Sequence, residues 1–199
     1  MRDKILEKSS ELFLNLGFKS VTMDKIASDC GVSKKTIYKY FKNKTELVAA
    51  VADFMFSSIC TGIDLICVLK KNPIEEIFEI KRFVISNLKD EKSSPQYQLQ
   101  KYYPKIYTSL SRKQFGVMQN CVIENLENGI QQGIYRDKID TEFISRIYFS
   151  GMMSIKDKDV FPLDHYSMNT LMDKYLNYHL RGICTEKGIE QLENQLKQK

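Results

Sequence analysis

A chain of 199 residues can hold one large domain, or a small one beside a medium one. Its apolar share of 43% excludes a disordered chain, and a net charge of +5 is small enough that its placement matters more than its sum. Five scattered cysteines without a CxxC, and only His165 and His179, argue against a disulfide framework or a metal site; cysteines of this kind are most often small buried hydrophobes.

No apolar run reaches the roughly 18 residues needed to cross a bilayer, the nearest being Ile59 to Leu69 with Asp64 inside it. The N-terminus, MRDKILEKSS, lacks the apolar core of a signal peptide, so a cytoplasmic chain with no membrane partner is expected. Strand signals are sparse, and the fold class expected is all-α.

In chain order, Ile5, Leu6, Leu12, Phe13 and Leu16 recur at helical spacing and predict a helix over 2–16 that Gly17 ends. Thr22 caps a second helix that runs to about Cys30, with Asp24 well placed in its first turn and Gly31 as a left-handed stop. Ser33 caps a third helix ending near Phe41. Asn43 then caps a long fourth helix, with Glu46 as its capping-box partner.

Lys70-Lys71-Asn72-Pro73 breaks the chain, and a helix follows to about Leu88. Lys89 to Pro95 reads as a polar loop, and Tyr103-Pro104 as a further break. A helix over 112–132 carries Phe115, Met118, Val122, Leu126 and Ile130. Asp140 or Thr141 caps one late helix with Phe143, Ile144, Ile147, Tyr148, Gly151 and Met152, and a second carries Met168, Leu171, Met172, Tyr175, Leu176, His179 and Leu180. The charged loop Lys156 to Asp159 lies between these two, and the tail from Thr185 is either a short docked helix or frayed.

The segment Thr22 to Lys44 carries the chemistry. With Met23 as position one of a two-helix unit, Ala27 is fifth, Gly31 ninth and Ile37 fifteenth. A small residue at the crossing, a residue tolerant of positive φ in the turn and an apolar anchor on the second helix are what a helix-turn-helix requires. At about 100° per residue Ile37 and Phe41 share the inward face, Lys35, Lys39 and Lys42 lie opposite, and Thr36 and Tyr38 flank them. No acidic residue separates Ser33 from Thr45, across five lysines. A bland solvated face mixes signs, so this one reads as a surface for a polyanion. Residues 1–50 hold ten Lys/Arg and six Asp/Glu, a net +4, which leaves about +1 for the remaining chain.

The residues Thr22, Ile26, Ala27, Gly31, Val32, Ser33, Thr36, Ile37, Tyr38, Tyr40, Phe41, Asn43, Lys44, Glu46 and Leu47, preceded by Phe13, Gly17 and Phe18, resemble the N-terminal domain of the TetR family of transcriptional regulators. The match covers roughly residues 1–50; the rest resembles the family in length, helicity and layout. The resemblance implies a helix-turn-helix DNA-binding domain over 1–47, built on three helices, and a helical regulatory and dimerisation domain over 48–199. It implies that Lys34, Lys35, Thr36 and Lys39 face base edges or nearby phosphates, that Tyr38 and Tyr40 place hydroxyls on phosphates, and that Thr22 and Lys44 hold the backbone at helix N-termini.

A short recognition helix makes few contacts, so a homodimer on a near-palindromic double-stranded operator is expected. Candidates for its seam are Ile147, Gly151, Leu171, Tyr175 and Leu176, which read equally well as internal core until the family layout tips them toward dimerisation. The resemblance also implies a small-molecule effector, with Tyr102, Tyr103, Tyr107, Phe115 and Met118 as candidate lining; such a stripe is more often core. A ligand preferring the non-binding state would release the protein from DNA, making the chain a repressor. The alternative is a DNA-binding scaffold whose large domain holds a protein partner. Without GxSxG, Walker loop, HExxH or dinucleotide fingerprint, no enzyme and no cofactor are expected, and Glu75-Glu76 reads as a solvated helix face.

Overall fold

The computed structural model describes residues 1–88, 95–157, 159–162 and 164–197. Among them run ten helices: α1 (Arg2–Ser20), α2 (Met23–Cys30), α3 (Lys34–Tyr38), α4 (Lys44–Cys67), α5 (Pro73–Leu88), α6 (Pro95–Tyr102), α7 (Pro104–Gln131), α8 (Thr141–Ser154), α9 (Met168–Ile183) and α10 (Glu186–Lys197). The β content of the described residues is one isolated antiparallel bridge, Tyr135 to Cys184. The all-α expectation holds.

Most helix ends sit where local chemistry puts them. Gly17 is non-helical inside α1, at φ 80° and ψ 158°, so the helix proper stops there. A Cβ at Gly17 would also displace the Gln98 amide, but the positive φ is what requires glycine there. Asp140 Oδ1 accepts the Phe143 N–H at 2.9 Å and starts α8. The polar loop expected at 89–95 falls at 89–94 outside the described residues, as does Lys158 of the charged loop. The start of one long helix differs from expectation. α7 begins at Pro104 rather than near 112, because proline is a good first residue of a helix as well as a poor interior one. Of the two readings of the tail the docked helix holds: it is α10, seated by Leu192 at 0% exposure.

The chain divides into two compact units, residues 1–62 with 86–114, and residues 63–85 with 115–199. In the first, Ile5, Phe13, Ile26, Ile37, Phe41, Leu47, Val48 and Val51 form a core with Leu99 from α6. By length and composition α4 is long enough and apolar enough to cross a membrane, where the sequence reading found no such span. Its start is instead packed: Leu47, Val48, Val51 and Ala52 are buried in this core.

In the second unit, Ile74, Leu126, Ile134, Met172, Leu176, Leu180 and Leu192 form the core. Several polar groups inside it are paired. Asn125 Nδ2 donates to the Pro73 carbonyl at 3.0 Å and to Glu76 Oε1 at 2.7 Å, and Tyr135 Oη donates to Asn125 Oδ1 at 3.1 Å. Glu76 is thus a buried, hydrogen-bonded carboxyl and not the solvated face its sequence suggested; burial raises its pKa. Tyr135 lies over Gly129, where a Cβ would meet its ring at 2.1 Å. Lys81 and Asp173 form a 2.7 Å ion pair, their side chains 9% and 10% exposed. Each offsets the other's desolvation, so the pair is costly to break and adds little net stability when intact. The α9–α10 corner is closed by the Thr185 hydroxyl, which donates to the Gly133 carbonyl at 2.8 Å while Thr185 N–H bonds the Ile134 carbonyl at 2.9 Å.

His179 on α9 is 8% exposed, with ring centroids 5.3 Å from Tyr148 and 5.7 Å from Tyr175. Burial lowers its pKa from 6.5 to about 4. Between those values the unfolded chain takes up a proton that the folded chain refuses, so stability is full above pH 6.5 and falls as pH drops toward 4. The expected loss is about 3 kcal/mol at the low end. Urea midpoints measured across that range should flatten in a His179→Phe variant; an unchanged slope would place the proton elsewhere.

Candidate nucleic-acid interface

The helix-turn-helix is assembled from short-range bonds. Thr22 Oγ1 accepts the Lys25 N–H at 3.1 Å and opens α2. Gly31 closes it at φ 67°, ψ 35°, with its N–H on the Ser28 carbonyl and the Val32 N–H on the Ala27 carbonyl, both at 3.0 Å. Ser33 Oγ accepts the Thr36 N–H at 3.1 Å and opens α3. The coil continues past Tyr38, because Phe41 N–H reaches the Ile37 carbonyl at 3.0 Å. Asn43 Oδ1 then accepts the Glu46 N–H at 2.9 Å, and Glu46 returns to the Lys42 N–H at 3.0 Å.

Ile37 is 0% exposed and Phe41 1%, against the core of the first unit. That seating leaves Lys34, Lys35, Lys39 and Lys42 exposed, with Tyr38 at 44% and Tyr40 at 41%. Tyr40 is therefore not core packing. Among the described residues Lys35, Lys39 and Lys42 make no ion pair, while Lys34 Nζ lies 2.8 Å from Asp24 Oδ2 across the turn. The Asp24 carboxylate, through its hydrogen bond and charge, raises the Lys34 pKa. Thr36 is half-buried, its hydroxyl 2.9 Å from that of Ser33. Lys44 is half-buried too. Its Nζ donates to the Lys19 carbonyl at 3.4 Å, and burial lowers its pKa. The pairing of residues 24 and 34 and that of residues 19 and 44 had no signal in the local sequence pattern. Arg2, whose guanidinium lies 5.6 Å from the Phe41 ring centroid, adds a cation to this unit that the sequence reading did not single out.

The candidate effector residues do not gather in one unit. Lys19 Nζ lies over the Tyr102 ring at 5.6 Å, Tyr103 meets Phe18 edge-on at 6.2 Å, and Tyr107 packs on the same first-unit core. Phe115 meets Phe149 at 5.1 Å and Met118 packs on the core of the second unit. An open cavity of about 530 Å³ in the first unit is lined by Pro104, Lys105, Thr108, Ser109, Arg112 and Lys113, and includes none of the five.

Of the candidate seam residues, Leu171 and Leu176 are 3% and 1% exposed within their own unit. The small Gly151 admits the Tyr175 ring of the same chain, and Tyr175 Oη donates to the Ile147 and Tyr148 carbonyls at 3.0 Å. Ile147 is 45% exposed; Phe143 on α8 and Tyr178 on α9 are 58% and 80% exposed.

The model of the family "bacterial regulatory proteins, tetR family" matches residues 5–51. The HTH-type transcriptional regulator YerO of Bacillus subtilis is 22% identical over 177 residues, covering 80% of this chain and 60% of its own length. The chain thus spans under two thirds of that relative. Among solved structures, the regulatory protein TetR from Rhodobacter sphaeroides superposes with a TM-score of 0.72 at 14% identity, covering 91% of this chain and 97% of that one. FadR of Thermus thermophilus, a TetR family repressor in complex with lauroyl-CoA, gives 0.61 at 18% identity, covering 94% and 96%.

Gly31 isolates the cost of the turn, since a Cβ there meets nothing within 4 Å. Gly31→Ala should cost about 1 kcal/mol through backbone strain alone, and Gly31→Asn less, because asparagine tolerates the left-handed region. Thermal unfolding of the two variants checks the order; equal losses would mean a steric clash and not φ is being measured.

Proposed function

We propose that this chain, a TetR-family transcriptional regulator with a helix-turn-helix head, is a cytoplasmic, dimeric repressor released from its operator by a small molecule. The observation that carries the reading is the exposed set Lys35, Lys39 and Lys42, unpaired among the described residues and lying on and just after the short helix α3, which Ile37 anchors in the core. Residues 1–47 bind the operator and residues 48–199 regulate and dimerise. Lys35 and Lys39 reach base edges, with Lys34 joining them once it exchanges Asp24 for DNA. Thr36 backs them, Tyr38 and Tyr40 donate to phosphates, and Thr22 and Lys44 sit at helix N-termini that favour an anion.

Two copies bind a near-palindrome. The exposed apolar side chains Phe143, Ile147 and Tyr178 on α8 and α9 are the surface best suited to the seam. Tyr102, Tyr103 and Tyr107 of the first unit stay the candidate effector contacts, and the lauroyl-CoA complex of the Thermus structure makes acyl-CoA thioesters the first compounds to try.

Operator selected from a random duplex pool provides the test. Lys35→Ala and Lys39→Ala should each weaken binding by about 1–3 kcal/mol, roughly 5- to 150-fold. The logarithm of affinity should fall linearly with the logarithm of salt concentration, and losing a phosphate contact should reduce that slope by about one. Parental affinity in both variants, or a salt-independent complex, would defeat the reading.

A further inference from the structure

Three of the five cysteines, Cys60, Cys67 and Cys121, do not fit the description of buried hydrophobes. Cys30 and Cys184 do, at 2% and 7% exposure. Cys67 and Cys121 are only half-buried, and their sulfurs lie 3.8 Å apart although the residues are 54 apart in sequence. Cys67 is the last residue of α4, beside the non-helical stretch that leads to Pro73, and Cys121 lies in the second half of α7. A disulfide needs its sulfurs at about 2.05 Å. The remaining approach is therefore under 2 Å, and the end of a helix is where backbone yields most easily.

We propose that Cys67 and Cys121 form a reversible disulfide site, closed by a low-molecular-weight disulfide. The thiolate of Cys67 attacks one sulfur of the oxidant RSSR. The S–S bond breaks, Cys67–S–SR forms, and the released thiolate takes up the proton that Cys67 lost. Cys121 then attacks the Cys67 sulfur, the mixed disulfide breaks, and a second RSH leaves carrying the Cys121 proton. The two protein thiols are oxidised by two electrons, and RSSR is reduced to two RSH.

The order of attack follows from the surroundings. Burial raises both thiols, Cys121 the further, and the Cys121 S–H hydrogen bond favours the Cys67 thiolate while Glu76 and Asp64 oppose it. Cys67 therefore meets the oxidant and Cys121 resolves it. Closure would tie the end of α4 to α7 inside the second unit. The first turns of that same α4 are core of the helix-turn-helix unit, so the bond would fix one end of the helix that carries the DNA head. This inference does not depend on operator binding.

The experiment uses the full, reduced chain with oxidised glutathione as the probe, followed by alkylation, digestion and mass spectrometry. The expected result is a peptide pair linked through Cys67 and Cys121 in most molecules, monomer-sized on a non-reducing denaturing gel, with both thiols recovered in dithiothreitol. Glutathione retained on Cys67 with Cys121 free, a link through Cys60, a link between two chains, or both thiols unreacted would each overturn it.

Discussion

The burial of Ile37 decides which way α3 faces, and almost everything else about the candidate interface follows from that. A helix of five residues has no stability of its own, because nucleation costs more than so few hydrogen bonds return. It persists because Ile37 and Phe41 are removed from water against Phe13, Ile26 and Ala27, each such side chain contributing about 1.5–3 kcal/mol. Once those two are inside, the helical period forces Lys35 out, and Lys39 and Lys42 in the turn that follows are left exposed beside it. Charge placement is thus a consequence of apolar packing. Mutual repulsion of the lysines is tolerated because they stay in water, where the opposing cost is small and screened.

What was legible in the sequence is what is settled within about four residues. Thr22, Ser33, Asn43 and Asp140 each cap the helix they precede, and Gly31 turns left-handed, because all depend on bonds between near neighbours. Interactions across elements were not legible. Asp24 and Lys34 are brought together by the turn, Glu76 is drawn inside by Asn125 from α7, and Leu171 and Leu176 are consumed by the core of their own unit. An apolar stripe states that something will cover it and not what. Of the seam candidates Ile147 is left exposed, as are Phe143 and Tyr178 nearby on α8 and α9.

The second unit is built to be specific more than to be maximally stable. Pairing Lys81 with Asp173, and Asn125 with Glu76 and Tyr135, places polar groups where apolar ones would pack at least as well. Such groups penalise every arrangement in which they lose their partners. Gly129 beneath Tyr135 and Gly151 beneath Tyr175 add the same kind of constraint sterically, since each ring has one place to go.

The size of α3 also sets how the proposed regulation could work. A few cations per head give at most the weak, salt-sensitive binding typical of non-specific contact, with Kd of about 10⁻⁴–10⁻⁶ M. In the proposed dimer the second head binds at an effective concentration fixed by the first, which multiplies the affinity without any new kind of contact. That gain exists only while both heads can engage at once. An effector therefore need not touch the lysines or supply energy comparable to the whole complex. It need only prefer, by its differential affinity, a state in which the two heads no longer match the operator, and binding falls back toward that of one head.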